Sequence, residues 1–354
     1  MKYATLALSV VSFAFSTNIG SAYAADDTEK GLLISEIQSA KPLNRLEPKY
    51  PISAARKGQE GWTIVSFIVE KDGSVSSPIV EDSSGNKKFN RESLKALKKW
   101  QYQPATQNGE PVQQCNQFVR LDYSLSGNGQ GGATRKFVSK YKKITQQIQE
   151  KDFTSAKSLM EELKSKPRWN LYEDAWYANL QATYFRAVGD QPQQLVSLNR
   201  VISAKKYIPE SMRFSALVDA FVINTNVANY ADALENFSEI KKFENAEKML
   251  TKLAPYVDEI YALIESDKII VRPGTIGDDS IWRHKMVRNS FALTALDGEL
   301  YKLEVRCNNK VFTYKPSEEN TWSIPNKWGK CNIYVHGEHN SSFKFVELAE
   351  TVKA

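Results

Sequence analysis

Glu60-Gly61-Trp62-Thr63-Ile64-Val65-Ser66-Phe67-Ile68-Val69, followed by Glu70-Lys71-Asp72-Gly73 and then by Ser74 to Glu81, is the stretch that decides the fold. A strand's side chains alternate between its two faces. Trp62, Ile64, Ser66 and Ile68 therefore share one face, and Thr63, Val65, Phe67 and Val69 the other. Glu70 to Gly73 reads as a hairpin turn, because Asp-Gly supplies the backbone such a turn needs. The second strand, Ser74 to Glu81, puts Val75, Ser77 and Ile79 on one side and ends at Ser83-Ser84-Gly85. Upstream, Tyr50-Pro51 opens a short helical stretch, Ile52 to Lys57, closed by Gly58. Downstream, Asn90 is the expected cap of a longer helix. Its apolar stripe is Leu94, Leu97 and Trp100, with Lys95, Lys98 and Lys99 outside. Tyr102-Gln103-Pro104-Ala105 leaves that helix, Asn108-Gly109 turns the chain, and Val112 to Leu125 reads as a long last strand.

The order helix, strand, strand, helix, strand predicts a sheet packed on one main helix, an α+β domain over 43–125. The ordered set Tyr50-Pro51, Glu60-Gly61, Asp72-Gly73, Ser83-Ser84-Gly85, the helix ending in Trp100, Pro104-Ala105 and Asn108-Gly109-Glu110-Pro111-Val112 resembles the C-terminal domain of the TonB family. The resemblance implies a protein-binding function in TonB-dependent transport. Family members bind the plug region of outer-membrane receptors, and a receptor peptide adds as a strand to the edge of the last strand. Carried to this chain, that edge is Val112 to Leu125, with Gln113, Gln114, Asn116, Gln117, Phe118 and Arg120 as expected contacts. Gln113, Gln114, Asn116, Gln117 and Arg120 make the strand polar, which suits either an exposed edge or a solvated face. Tyr50 and Pro51 match a family segment that also touches receptors; a rigid turn that packs an aromatic ring is the alternative. Energy-transducing members have a membrane anchor facing an ion-driven motor, then a long Pro-rich spacer. Here only Pro42, Pro48 and Pro51 precede the domain, and about 225 residues follow it. These departures favour an accessory role over a transducer.

Outward from that domain, Ser126-Gly127-Asn128-Gly129-Gln130-Gly131-Gly132 reads as a flexible linker within 126–135. Residues 136–266 show helical periodicity and a repeat. Phe153 to Leu159, Gln191 to Leu198 and Tyr230 to Phe237 match one another, with Ala156, Gln194 and Ala233 spaced 38 and 39 residues apart. The pattern resembles degenerate tetratricopeptide repeats, a helical-hairpin solenoid whose groove would suit a protein partner; an ordinary helical bundle is the alternative. Residues 268–348 alternate as strands and predict a β-sandwich. There Asp297-Gly298, between Ser290–Leu296 and Leu300–Cys307, reads as a hairpin turn.

Composition bounds the rest. The chain has 354 residues, 47 basic against 41 acidic, for a formal net charge of +6. That excess is spread along the sequence, and no run is dense enough to indicate nucleic acid. Lys2, the apolar run Ala4 to Phe15 and Ala22-Tyr23-Ala24 have the layout of a signal peptide over 1–24. The expected location is the periplasm. Without cleavage the segment would anchor the chain in the inner membrane, the one route to membrane association expected from sequence. An oxidising compartment permits a disulfide, and Cys307 and Cys331, in one β region, are the expected pair; Cys115 is left over. His336 and His339 have a spacing that can hold a metal, but no Cys/His cluster supports them. No nucleophile elbow, zincin or P-loop pattern is present. The expectation is a non-enzymatic binding protein without cofactor or metal. Its partners would be outer-membrane receptors or other periplasmic transport proteins. The second expectation is an envelope scaffold whose helical repeats recruit the main partner.

Overall fold

A computed structural model describes residues 37–125, 132–165 and 170–349. The expected signal peptide and most of the glycine-rich linker lie outside the described residues. The first region contains β1 (Ile37–Gln38), β2 (Lys41–Asn44), α1 (Ile52–Arg56), β3 (Gly61–Val69), β4 (Val75–Ser83) and α2 (Lys87–Leu97), then β5 (Gln101–Gln103), β6 (Ala105–Gln107), β7 (Glu110–Val112) and β8 (Gln114–Tyr123). Strand β3 is central, antiparallel to β4 on one side and to β8 on the other. Helix α2 covers one face, where Val65, Phe67 and Val69 pack on Leu97, Trp100 and Tyr102. Two short sheets, β1-β6-β7 and β2-β5, complete the region.

Two boundaries differ from the sequence reading. Asn86 caps α2, its side chain accepting the Lys88 amide, so the helix starts one turn before Asn90. The reason is Phe89, fully buried, which extends the apolar stripe upstream. The Asn90 side chain instead accepts a hydrogen bond from the Thr63 hydroxyl. The expected single strand 112–125 is two, β7 and β8, separated at Gln113. The ladder with β3 carries a bulge between Val69/Gln114 and Phe67/Gln117, where Asn116 takes a positive φ of 59°.

Among the described residues seven helices follow: α3 (Arg135–Gln149), α4 (Phe153–Lys164), α5 (Leu171–Val188), α6 (Gln191–Ser203), α7 (Glu210–Asn226), α8 (Tyr230–Ile240) and α9 (Glu247–Glu265). The matched segments open the shorter helices α4, α6 and α8, with Asp152 and Asp190 as side-chain caps of the first two. Ala156, Gln194 and Ala233, fourth in each, are all buried.

The last region has β9 (Ile270–Thr275), β10 (Ile281–Lys285), β11 (Ser290–Asp297), β12 (Leu300–Cys307), β13 (Val311–Tyr314), β14 (Thr321–Ser323), β15 (Cys331–Gly337) and β16 (Ser342–Leu348). They form two antiparallel sheets, β10-β15-β12-β13 and β14-β11-β16-β9, around one apolar core that includes Phe291, Leu303, Val305, Ile333 and Phe345. Cys307 and Cys331 face each other across β12 and β15 and are disulfide-bonded. Asp297-Gly298 does not close a hairpin. Strands β11 and β12 belong to different sheets, so the turn is a corner between layers. Leu293 and Leu303, both fully buried, lie on opposite sheets and both join the core between the two layers.

Gly73 is held where only glycine fits. Its φ is +80°, and an added Cβ would fall within the shell of the Tyr102 carbonyl oxygen, whose amide in turn donates to Gly73 O at 2.9 Å. Gly73→Ala should therefore lower unfolding stability by about 2 kcal/mol or more in denaturant titration. Gly109→Ala, also at positive φ but in open space, should cost less.

Candidate protein-binding edge

Strand β3 is buried on both faces: Trp62, Thr63, Val65, Ser66, Phe67, Ile68 and Val69 are each at most 1% exposed. The face opposite α2 is covered by the chain's own helices. Trp62 packs among Leu171, Ala175, Ala204 and Tyr207, and its indole N–H donates to Asp174 at 2.7 Å. Arg200 grips Asp82 through two hydrogen bonds of 2.9 and 2.8 Å. Arg120 donates to Ser203 Oγ at 2.8 Å, and Tyr207 to Asp122 at 3.0 Å.

The β-sandwich meets the same sheet through polar residues. On β15, β12 and β10 the outward positions carry Tyr334, Glu304, Arg306 and Arg283. Arg283 donates to Val80 O at 3.2 Å and pairs with Glu81 at 2.6 Å. Tyr334 donates to Glu81 at 3.1 Å, and Ser66 also donates to Glu81. Arg306, 1% exposed, pairs with Glu304 and lies over the Tyr334 ring. Burial pushes the Tyr334 hydroxyl up to about 12, with Glu81 adding to the effect. Burial also raises Glu304, but Arg306 and Lys302 outweigh it and hold the carboxyl below its usual range. A buried charge persists only when paired in this way. Nothing in the sequence marked these residues, since charged residues alternating along a strand read as a solvated face.

Against this frame, β8 is an edge strand. One margin pairs with β3, and among the described residues no strand pairs with the other. The sandwich closes only the start of that margin: the Cys115 amide donates to Asn308 O at 3.0 Å, and Asn116 Nδ2 to Arg306 O at 2.9 Å. Cys115 is buried, and burial pushes its thiol up to about 12, which keeps it protonated.

Gln113 donates to Glu70 at 2.7 Å, and Gln114 accepts the Ala40 amide at 2.6 Å. Arg120 also pairs with Asp122 at 2.8 Å and lies 4.4 Å over the Trp62 ring. Gln117 is half-buried and donates to Cys115 O at 3.4 Å. Phe118 is 49% exposed and borders a pocket of about 120 Å³ shared with Glu81, Asp232, Arg283 and Tyr334. Tyr50 packs edge-on against Phe89 and Tyr123 and donates to Gln59 O, while the Pro51 carbonyl accepts the Ala54 and Ala55 amides. Most of these side chains thus fix the strand, and the main chain beyond Asn116, with Phe118, is what faces outward. His336 and His339 do not converge, since His336 lies 3.9 Å from Glu304 and His339 lies 3.3 Å from Asp278.

The same span has counterparts among known proteins. Residues 47–125 match the family described as Gram-negative bacterial TonB protein C-terminal. Protein TonB of Xanthomonas campestris pv. campestris (strain B100) is 38% identical over 72 residues, 20% of this chain and 31% of that protein. Protein tonB2 of Pseudomonas aeruginosa is 32% identical over 84 residues, 24% of this chain and 31% of that protein. The solution structure of the Pseudomonas aeruginosa TonB C-terminal domain is 26% identical, with 25% of this chain and 89% of that chain covered and a TM-score of 0.22. Residues 47–125 are thus a TonB C-terminal domain. The chain spans about a third (31%) of the length of the curated relatives it matches.

His336, on β15, gives the fold a pH dependence. Burial, then Lys302, depresses its pKa to about 4, against an unfolded value near 6.5. The unfolded chain then binds the proton more readily, so stability is full above pH 6.5 and falls as pH drops toward 4. His336→Gln should flatten the thermal-stability profile across that window.

Proposed function

We propose that this chain is a periplasmic protein of TonB-dependent transport that captures outer-membrane receptors, or other transport proteins, by strand addition along β8 from Gln117 to Tyr123. The observation that carries this reading is the margin of β8 that no described strand occupies, beside a sheet otherwise locked on both faces. Unpaired main-chain donors and acceptors at such an edge take an extended peptide, and neighbouring pockets select its side chains. Phe118 and the pocket beside it supply that selection. Among the described residues no helix is long and apolar enough to cross a membrane. An adaptor role fits better than energy transduction, because the chain's own helices and sandwich are docked on the domain's sheet.

Receptor plug peptides should bind the full chain in calorimetry. Peptides N-methylated at alternate residues along one edge should lose binding, while the same methylation along the other edge should leave it intact. Equal binding by both methylated sets would exclude strand pairing. Phe118→Ala should weaken capture roughly fivefold with the fold unchanged.

A further inference from the structure

The formal charge of +6 is unevenly placed in the folded chain. The segment 41–57 and helix α2 with its C-terminal turn, 87–99, together hold eleven Lys and Arg against two Glu, an excess of nine, so the remainder of the chain is net acidic. The fold lays these two stretches side by side. Trp100 Nε1, just past the end of α2, donates to Leu46 O at 2.8 Å, and Lys88, near its start, donates to Ser53 Oγ at 2.6 Å. Between these ties the segment runs along α2 and forms one ridge. All eleven of these basic residues are exposed on it. Its only ion pairs among the described residues are Arg91 and Lys95 with Glu92.

The same ridge exposes three large apolar side chains: Leu43 at 67%, Leu46 at 47% and Ile52 at 70%. Cations alone would suit any polyanion. Exposed aliphatic residues among them match the boundary between lipid headgroups and acyl chains, where apolar groups insert and cations meet phosphates. We propose that this ridge seats the protein on an anionic phospholipid bilayer, with Leu43, Leu46 and Ile52 entering the headgroup boundary. The ridge lies on the α2 side of the domain, away from the sheet face covered by the other helices, so a seated protein would still present β8.

The test is flotation of the full chain with vesicles of phosphatidylglycerol and, separately, of phosphatidylcholine. The apolar stretch 4–15 is common to all variants, so differences between them report on the ridge. Binding should favour phosphatidylglycerol and weaken with salt. The triple variant Lys88→Gln/Lys95→Gln/Lys98→Gln should lose affinity by about fivefold per lysine. Leu43→Ser/Ile52→Ser should lose about tenfold. Equal binding to both lipids, or unchanged binding by either variant, overturns the proposal. So does retention on peptidoglycan sacculi or an acidic protein without binding to phosphatidylglycerol vesicles. Both variants should keep wild-type capture of receptor peptides, which separates failure here from failure of the strand-addition reading.

Discussion

Strand β3 has no solvent side, and the architecture follows from that. Its odd-numbered residues are taken by α2, and its even-numbered ones by helices and sandwich. Burying Trp62 with its indole N–H on Asp174 is favourable only if the helices stay docked, because an unpaired buried donor costs about 1–3 kcal/mol. The Arg200–Asp82 pair holds the same contact from the side, and Arg283 with Tyr334 holds the sandwich through Glu81. With both faces filled, the sheet can grow only at its margins.

That constraint also explains which parts were legible in the sequence. The strands β3 and β4, the turn at Gly73 and the lysine-faced helix were readable because each obeys a local rule of period, turn chemistry or amphipathicity. Ala156, Gln194 and Ala233 recur at matching buried positions, although Gln194 is not small. The cap of α2 was misplaced because Asn86 and Asn90 both offer the right side chain, and only the burial of Phe89 separates them. Asp297-Gly298 was misread because a two-residue turn says nothing about whether its flanking strands share a sheet.

What could not be read was long-range juxtaposition. Glu304 and Arg306 look like any exposed pair on a strand, yet both are buried against the TonB C-terminal domain. The polar side chains of β8 read equally as a solvated face or a binding edge, and most proved to be tethers within the chain. Charge behaves in the same way. Along the sequence the basic residues are dispersed, whereas folding gathers an excess of nine on one ridge and leaves the remainder acidic.

Amide hydrogen exchange along β8, with and without receptor peptide, reads the free margin of that strand. In the free chain, alternate amides between Gln117 and Tyr123, those turned away from β3, should exchange fast while their β3-paired neighbours stay protected. Peptide should then slow the fast set. Uniform protection of β8 in the free chain, or no change on adding peptide, would contradict the account.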